Sequence, residues 1–189
     1  MKNIIFAFAI SAISLTACNN SSEKSIESSK TNDQPAKEEI AVATSSSPVG
    51  GLLQVYLKMK NDLAKDDDKA AADAGRQMFK MLNDFDKSSL KEADTNAFDD
   101  IAEDAKEHAQ HIGMKEGNIK HQREHFDVIS KDMYDLVKKY GAGQKIYVDF
   151  CPMYNDNKGA TWLSETTEIQ NPYFGKEMYT CGEVKEVLQ

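Results

Sequence analysis

All four histidines of the 189-residue chain fall in one short stretch: His108, His111, His121 and His125. The first two are three apart and the second two are four apart, so on a helix each pair puts both rings on one side. A break near Gly113–Gly117 separates the pairs. If the flanking helices run antiparallel, then at about 1.5 Å per residue His108 and His111 sit roughly 8 and 3 Å below the break, and His121 and His125 roughly 5 and 11 Å. A shared site for zinc, copper(II) or nickel is therefore sterically allowed, since imidazole suits these ions. The same spacing also describes two solvated pairs, with His108 half hidden on an apolar column. His121-Gln122-Arg123-Glu124-His125 has metalloprotease spacing but carries Gln122 where that chemistry needs Glu, so a zinc protease is excluded.

Sulfur offers a second chemistry. Cys151-Pro152-Met153 and Met178-Tyr179-Thr180-Cys181 each pair a thiol with a thioether. Soft donors of this kind select copper(I) over hard ions. On a strand, residues two apart face one side, so Cys151 and Met153 can share an ion; on a helical turn Met178 and Cys181 can do likewise. Two other readings stay open. Met is a common core filler, so buried, inert sulfur is one, and in an oxidising compartment a Cys151–Cys181 disulfide is the other. Phosphate loops, Cys-X-X-Cys pairs and nucleophile elbows are absent from the sequence, and a Cys151–His dyad lacks a recognisable oxyanion loop; no enzyme is expected. Trp162, Tyr173 and Phe174 suggest either an aromatic binding face or a small core under the C-terminal segment.

The elements that must position these residues begin after a leader. Lys2, the apolar run Ile4 to Ile13, and Leu15-Thr16-Ala17-Cys18 have the form of a bacterial lipoprotein signal over residues 1–17, with Cys18 the lipidated residue. The anchor implies a cell-envelope location on the outer membrane, facing the periplasm; Asn19 after the lipidated Cys fits that sorting. Residues 18–48 are polar and Ser-rich, which suits a disordered tether reaching about 30 Å. No apolar run is long enough for a membrane-spanning helix. Acids outnumber bases 31 to 23, for a net charge of −8, a balance that argues against a nucleic-acid partner.

Residues 49–189 form the expected single domain, a mainly α antiparallel up-down bundle of about four helices. Its apolar stripes are Leu52, Val55, Tyr56, Met59, Leu63; Ala70, Ala74, Met78, Met81, Phe85; Phe98, Ile101, Ala105, His108, Ile112; and Ile119, Gln122, Phe126, Ile129, Met133, Leu136. Asp66-Asp67-Asp68 and Asn118 are expected helix caps. Lys145 to Cys151 alternates like a strand, Asn155 to Gly159 is a turn cluster, and Ala160 to Ser164 returns, so a C-terminal β-hairpin should sit on the bundle.

The C-terminal runs Tyr147-Val148-Asp149-Phe150-Cys151-Pro152-Met153, Lys158-Gly159-Ala160-Thr161-Trp162-Leu163-Ser164 and Asn171-Pro172-Tyr173-Phe174-Gly175, followed by Met178 and Cys181-Gly182, resemble the bacterial family of the domain of unknown function 3347. The resemblance extends over roughly Gly51 to Val184, with the helical part similar mainly around Gln122 to Phe126. It implies a helical domain with a Cys-Pro-Met end in a setting beside copper/silver efflux, so metal-efflux components are expected partners. Carried over by motif, the matching positions are Cys151, Met153, Met178 and Cys181. The expected function is a lipid-anchored envelope protein that sequesters or transfers copper(I) in heavy-metal resistance, with the histidines as a second site. The alternative is a structural or interaction lipoprotein with a Cys151–Cys181 disulfide.

Overall fold

A computed structural model describes residues 47–91 and 94–189; the leader, Cys18 and the tether as far as residue 46 lie outside the described residues. Helix α1 (Gly50–Ala64) is buried around most of its circumference, including Leu52, Leu53, Tyr56, Met59 and Leu63. A helix covered on so many sides belongs at the centre of a domain. It is followed by a tight turn at Asp66, whose φ is 60°, and by Asp67, whose carboxylate accepts from the Ala70 amide at 2.9 Å and caps α2 (Asp68–Asn83). The buried stripe of α2 is Ala71, Ala74, Gly75, Met78 and Leu82; the expected Ala70, Met81 and Phe85 lie at its edge, half-buried. Helix α3 (Thr95–Met114) returns alongside α2, and α4 (Ile119–Tyr140) alongside α3. Asn118 caps α4 as expected, accepting from the His121 amide at 3.2 Å, and Gly141, with φ 82°, ends it.

Small residues let α2 and α3 approach closely. A Cβ on Gly75 would lie 2.8 Å from the Gly113 nitrogen and 2.9 Å from the Ala109 oxygen, so backbone meets backbone at this crossing. The crossing lies beside the last turns of α3, the turns that carry His108 and His111.

The expected hairpin is present and is joined by a third strand. Strands β1 (Ile146–Cys151), β2 (Ala160–Ser164) and β3 (Glu183–Leu188) form an antiparallel sheet in the order β2-β1-β3, so β1 is central. Its alternation does not hold to the end. Ile146 and Val148 are buried, but Asp149 and Cys151, on the opposite face, are fully buried as well. Residues Asn155, Asp156 and Asn157 carry left-handed φ of 52–63°, a conformation these short polar side chains tolerate, and they reverse the chain toward β2.

Tyr56 joins helices to sheet. It is fully buried, stacks on Phe126 of α4 with centroids 5.2 Å apart, and its hydroxyl pairs with Ser130 at 2.9 Å while accepting from the Leu163 amide at 3.0 Å. Trp162, Tyr173 and Tyr154 continue the aromatic packing, with Tyr173 centred 5.9 Å from Trp162 and 4.3 Å from Tyr154, so the aromatic residues near the C-terminus form a core. Beside them lies a charged group that hydrophobic patterning does not reveal. Lys60 is fully buried, with Nζ 3.0 Å from Glu165 Oε2, and Asp149 is fully buried with neither carboxylate oxygen hydrogen-bonded. Burial raises the Asp149 carboxyl to about 7, against the opposing pull of Lys60.

Two measurements check these points. Gly75→Ala gains about 1 kcal/mol in helix propensity, but a clash against backbone that cannot rotate away costs roughly 1–3 kcal/mol. Its unfolding midpoint in denaturant should therefore fall; a rise would show that α2 and α3 are not in close contact. The native state holds the Asp149 proton more tightly than the unfolded chain, whose value is near 3.8. Its contribution to stability is thus complete below that value and is lost as pH rises to about 7. Asp149→Asn removes this dependence, so the variant's melting temperature should gain on the native one across that window and level off above it. A constant difference across the window would contradict the burial of this carboxyl.

Candidate metal centre

The α3–α4 hairpin is fixed from both sides. At its turn, Gly117 takes φ 85° and donates its amide to the Asp68 carboxylate. Gln122 is fully buried, and its Nε2 donates to the Asp68 carbonyl at 2.8 Å and to the Ile112 carbonyl at 3.4 Å. The next residue, Arg123, donates to the Pro172 carbonyl at 2.7 Å, the Leu63 carbonyl at 2.9 Å and Asp66 at 2.7 Å. Gln122 thus occupies the place of the protease glutamate with a structural role.

On this hairpin the two histidine pairs meet. His125 is central. Its Nδ1 lies 2.6 Å from His108 Nδ1 and its Nε2 lies 3.0 Å from His121 Nε2. His111 stacks on it at 4.5 Å between centroids and 13° between planes. His111, His121 and His125 each offer a ligand atom, all within 4.8 Å of one another. Helix spacing left open whether the two pairs share one place or stay apart; here the four rings are in mutual contact through His125.

The surroundings suit a cation. Glu124 Oε2 lies 3.1 Å from His121 Nδ1, Asp104 Oδ1 3.5 Å from His108 Nε2, and Glu107 Oε1 3.9 Å from His111 Nε2. In His121 and His108 the carboxylate faces the ring nitrogen that points away from His125, the arrangement by which proteins orient metal-ligating imidazoles. Burial, and then the neighbouring imidazoles His108, His111 and His121, push His125 down to about 4, so it is neutral at physiological pH with a lone pair available. His111 and His121 remain 43% and 32% exposed, which gives solvent ions access.

The sulfur atoms divide. Cys151 Sγ and Cys181 Sγ lie 3.2 Å apart as free thiols, and burial, with Cys151 beside it, raises the Cys181 thiol to about 11. Cys151, at the end of β1, and Cys181, two residues before β3, are thus in contact. Met153 is placed differently. Cys151 is the last residue of β1, and Pro152, which lacks an N–H, begins the turn after it, so the period-two argument does not reach Met153. Met153 is 48% exposed, in a surface hollow with Lys120, Glu124, Asp127 and Tyr154. Met178 is not on the helical turn expected for it: its backbone is non-helical (φ −141°, ψ 53°) just after a short 3-10 turn, and its carbonyl accepts from the Cys181 amide at 3.0 Å. No local pattern marks the buried Lys60, Asp149 and Glu165 group, and only the i+3 and i+4 spacing of Asp104, Glu107 and Glu124 from the histidines hints at the carboxylates beside the rings.

Residues 52–145 match the family described as Protein of unknown function (DUF3347). No curated protein matches the chain. No solved structure matches it either. The matched segment runs from α1 to the residue before β1, so it contains all four histidines and neither Cys151 nor Cys181, whereas the motifs that carry the sequence resemblance lie mainly beyond it. Through the helical segment that holds the imidazole cluster, the chain belongs to this family of proteins of unknown function.

Proposed function

We propose that this protein binds a transition-metal ion at the helical hairpin, sequestering it or handing it on, while Cys18 tethers the domain to the cell envelope. The carrying observation is the convergence of His111, His121 and His125 within 4.8 Å. Imidazole donors with carboxylate support suit zinc, copper(II) or nickel. Partial exposure of His111 and His121 supports transfer by stepwise ligand exchange, and the net charge of −8 raises the local cation concentration. Metal-efflux components are natural recipients for such an ion.

A second reading concerns copper(I). The 3.2 Å contact between Cys151 and Cys181 supports a two-thiolate site for a soft ion under reducing conditions. The same contact supports a disulfide under oxidising ones, which would staple β1 to the segment before β3. Met153, half exposed in its separate hollow, adds little to either.

Titration of the full chain in detergent separates the two sites, with copper(I) added under anaerobic reducing conditions and zinc, copper(II) or nickel added without reductant. His125→Ala should weaken zinc or copper(II) binding by more than about 100-fold, beyond the 10–100-fold usual for losing a supporting group. Cys151→Ser should leave that affinity unchanged while weakening copper(I) binding. Protons compete for the imidazole lone pairs, so zinc affinity should fall as pH falls. If the native chain takes up neither zinc, copper(II) nor nickel, the metal-binding reading fails.

A further inference from the structure

The contacts within the histidine cluster, taken with the set of ligand atoms that converge, assign a role to each ring. The contacts form one chain: Asp104 to His108 Nε2 at 3.5 Å, His108 Nδ1 to His125 Nδ1 at 2.6 Å, His125 Nε2 to His121 Nε2 at 3.0 Å, and His121 Nδ1 to Glu124 at 3.1 Å. Three of these are hydrogen-bond contacts and the fourth, to Asp104, is a longer ion-pair contact. With one N–H on each of the three rings, a hydrogen given to Asp104 leaves two acceptors face to face at one of the other contacts, which a cation between them relieves.

The choice of contact follows from the geometry. If the missing proton is between His125 and His121, then His108 donates Nε2–H to Asp104, His125 donates Nδ1–H to His108, and His121 donates Nδ1–H to Glu124. The bare atoms are then His125 Nε2 and His121 Nε2, 3.0 Å apart. With metal–nitrogen distances of about 2.0–2.1 Å they subtend roughly 95° at an ion, an ordinary angle between neighbouring ligands. His111 completes the set, since among the described residues it is His111, and not His108, that joins His121 and His125 as a third ligand atom within 4.8 Å. Placing the missing proton between His108 and His125 instead gives an ion two nitrogens only 2.6 Å apart, squeezed to roughly 80° by the same bond lengths, and no third imidazole in that set.

We propose that His111, His121 and His125 are the metal ligands and that His108, held by Asp104, is a positioning residue that fixes His125 in the tautomer with Nε2 free. This rests on the metal-binding reading above and deepens it. A three-imidazole site leaves coordination positions for water or for a donor from a recipient, the arrangement that exchange of the ion requires.

The test is cobalt(II) titration of the full chain in detergent, with the visible ligand-field spectrum as the readout of the donor set. His108→Ala should weaken cobalt(II) by about 10–100-fold, the usual effect of removing a supporting group, while leaving band positions and intensities unchanged. His108→Asn, whose amide oxygen can accept from His125 Nδ1–H, should recover most of the affinity. His125→Ala should abolish the native spectrum. A spectrum altered in His108→Ala, or an affinity equal to that of the native chain, would overturn the assignment. If His108→Ala does not fold, His108→Asn decides: an unchanged spectrum supports the positioning role and a changed one overturns it. A native chain that takes up no cobalt(II) or zinc ends the metal-binding reading itself, whereas uptake with His108 behaving as a ligand ends only the assignment made here.

Discussion

The buried Gln122 amide sets the height of α4 against its neighbours. Its Nε2 reaches the Asp68 carbonyl at the start of α2 and the Ile112 carbonyl near the end of α3, so one side chain references α4 to both helices. A neutral amide buried in this way must keep its partners, because an unsatisfied buried donor costs about 1–3 kcal/mol. The consequence is positional. A slip of one residue along a helix moves a ring by about 1.5 Å and turns it by roughly 100°, enough to remove His121 or His125 from the centre. Arg123 adds a second set of ties, to Leu63, Asp66 and Pro172, on the residue midway between the two histidines.

That fixed register brings imidazoles to distances that are useful to a metal and awkward without one. Burial drives His125 low, and rings stacked at 4.5 Å with nitrogens 2.6 and 3.0 Å apart push it further the same way. The carboxylates of Asp104, Glu107 and Glu124 sit at the exposed rim of the cluster, unlike the fully buried Asp149. The acidity of the chain thus has a local expression as well as a global one: the rim acids orient the rings, and the rest of the surface attracts cations at long range.

The C-terminal sheet contributes differently. It closes the core through Tyr56, Trp162 and Tyr173 and holds two thiols in contact, but it stands outside the segment that matches the family. Its burial of Lys60 and Asp149 carries an electrostatic cost that a hydrophobic core would avoid, and burial of this kind is a weak source of stability. The helical segment and the sheet therefore pose separate chemical questions, one of imidazoles and one of sulfur.

Much was legible from local pattern. Helix stripes such as Leu52-Tyr56-Met59-Leu63 and caps such as Asp67 and Asn118 are short-range properties of the chain, and so is the i+3 and i+4 spacing of the histidines; all appear where the pattern put them. The hairpin of β1 and β2 follows from β-branched residues around a left-handed turn. Strand β3 was not legible, because Glu183-Val184-Lys185-Glu186 is mostly polar and becomes a strand by pairing with β1 at the sheet edge. The closeness of Gly75 to Gly113, the burial of Lys60 and the separate surroundings of Met153 were equally hidden. By itself the sequence determined which residues share a helix face and which segments turn, since these depend on neighbours a few positions away. Tertiary structure decided which faces meet and at what depth, since contact between distant segments depends on the summed packing of the core and on where each backbone hydrogen bond can be satisfied.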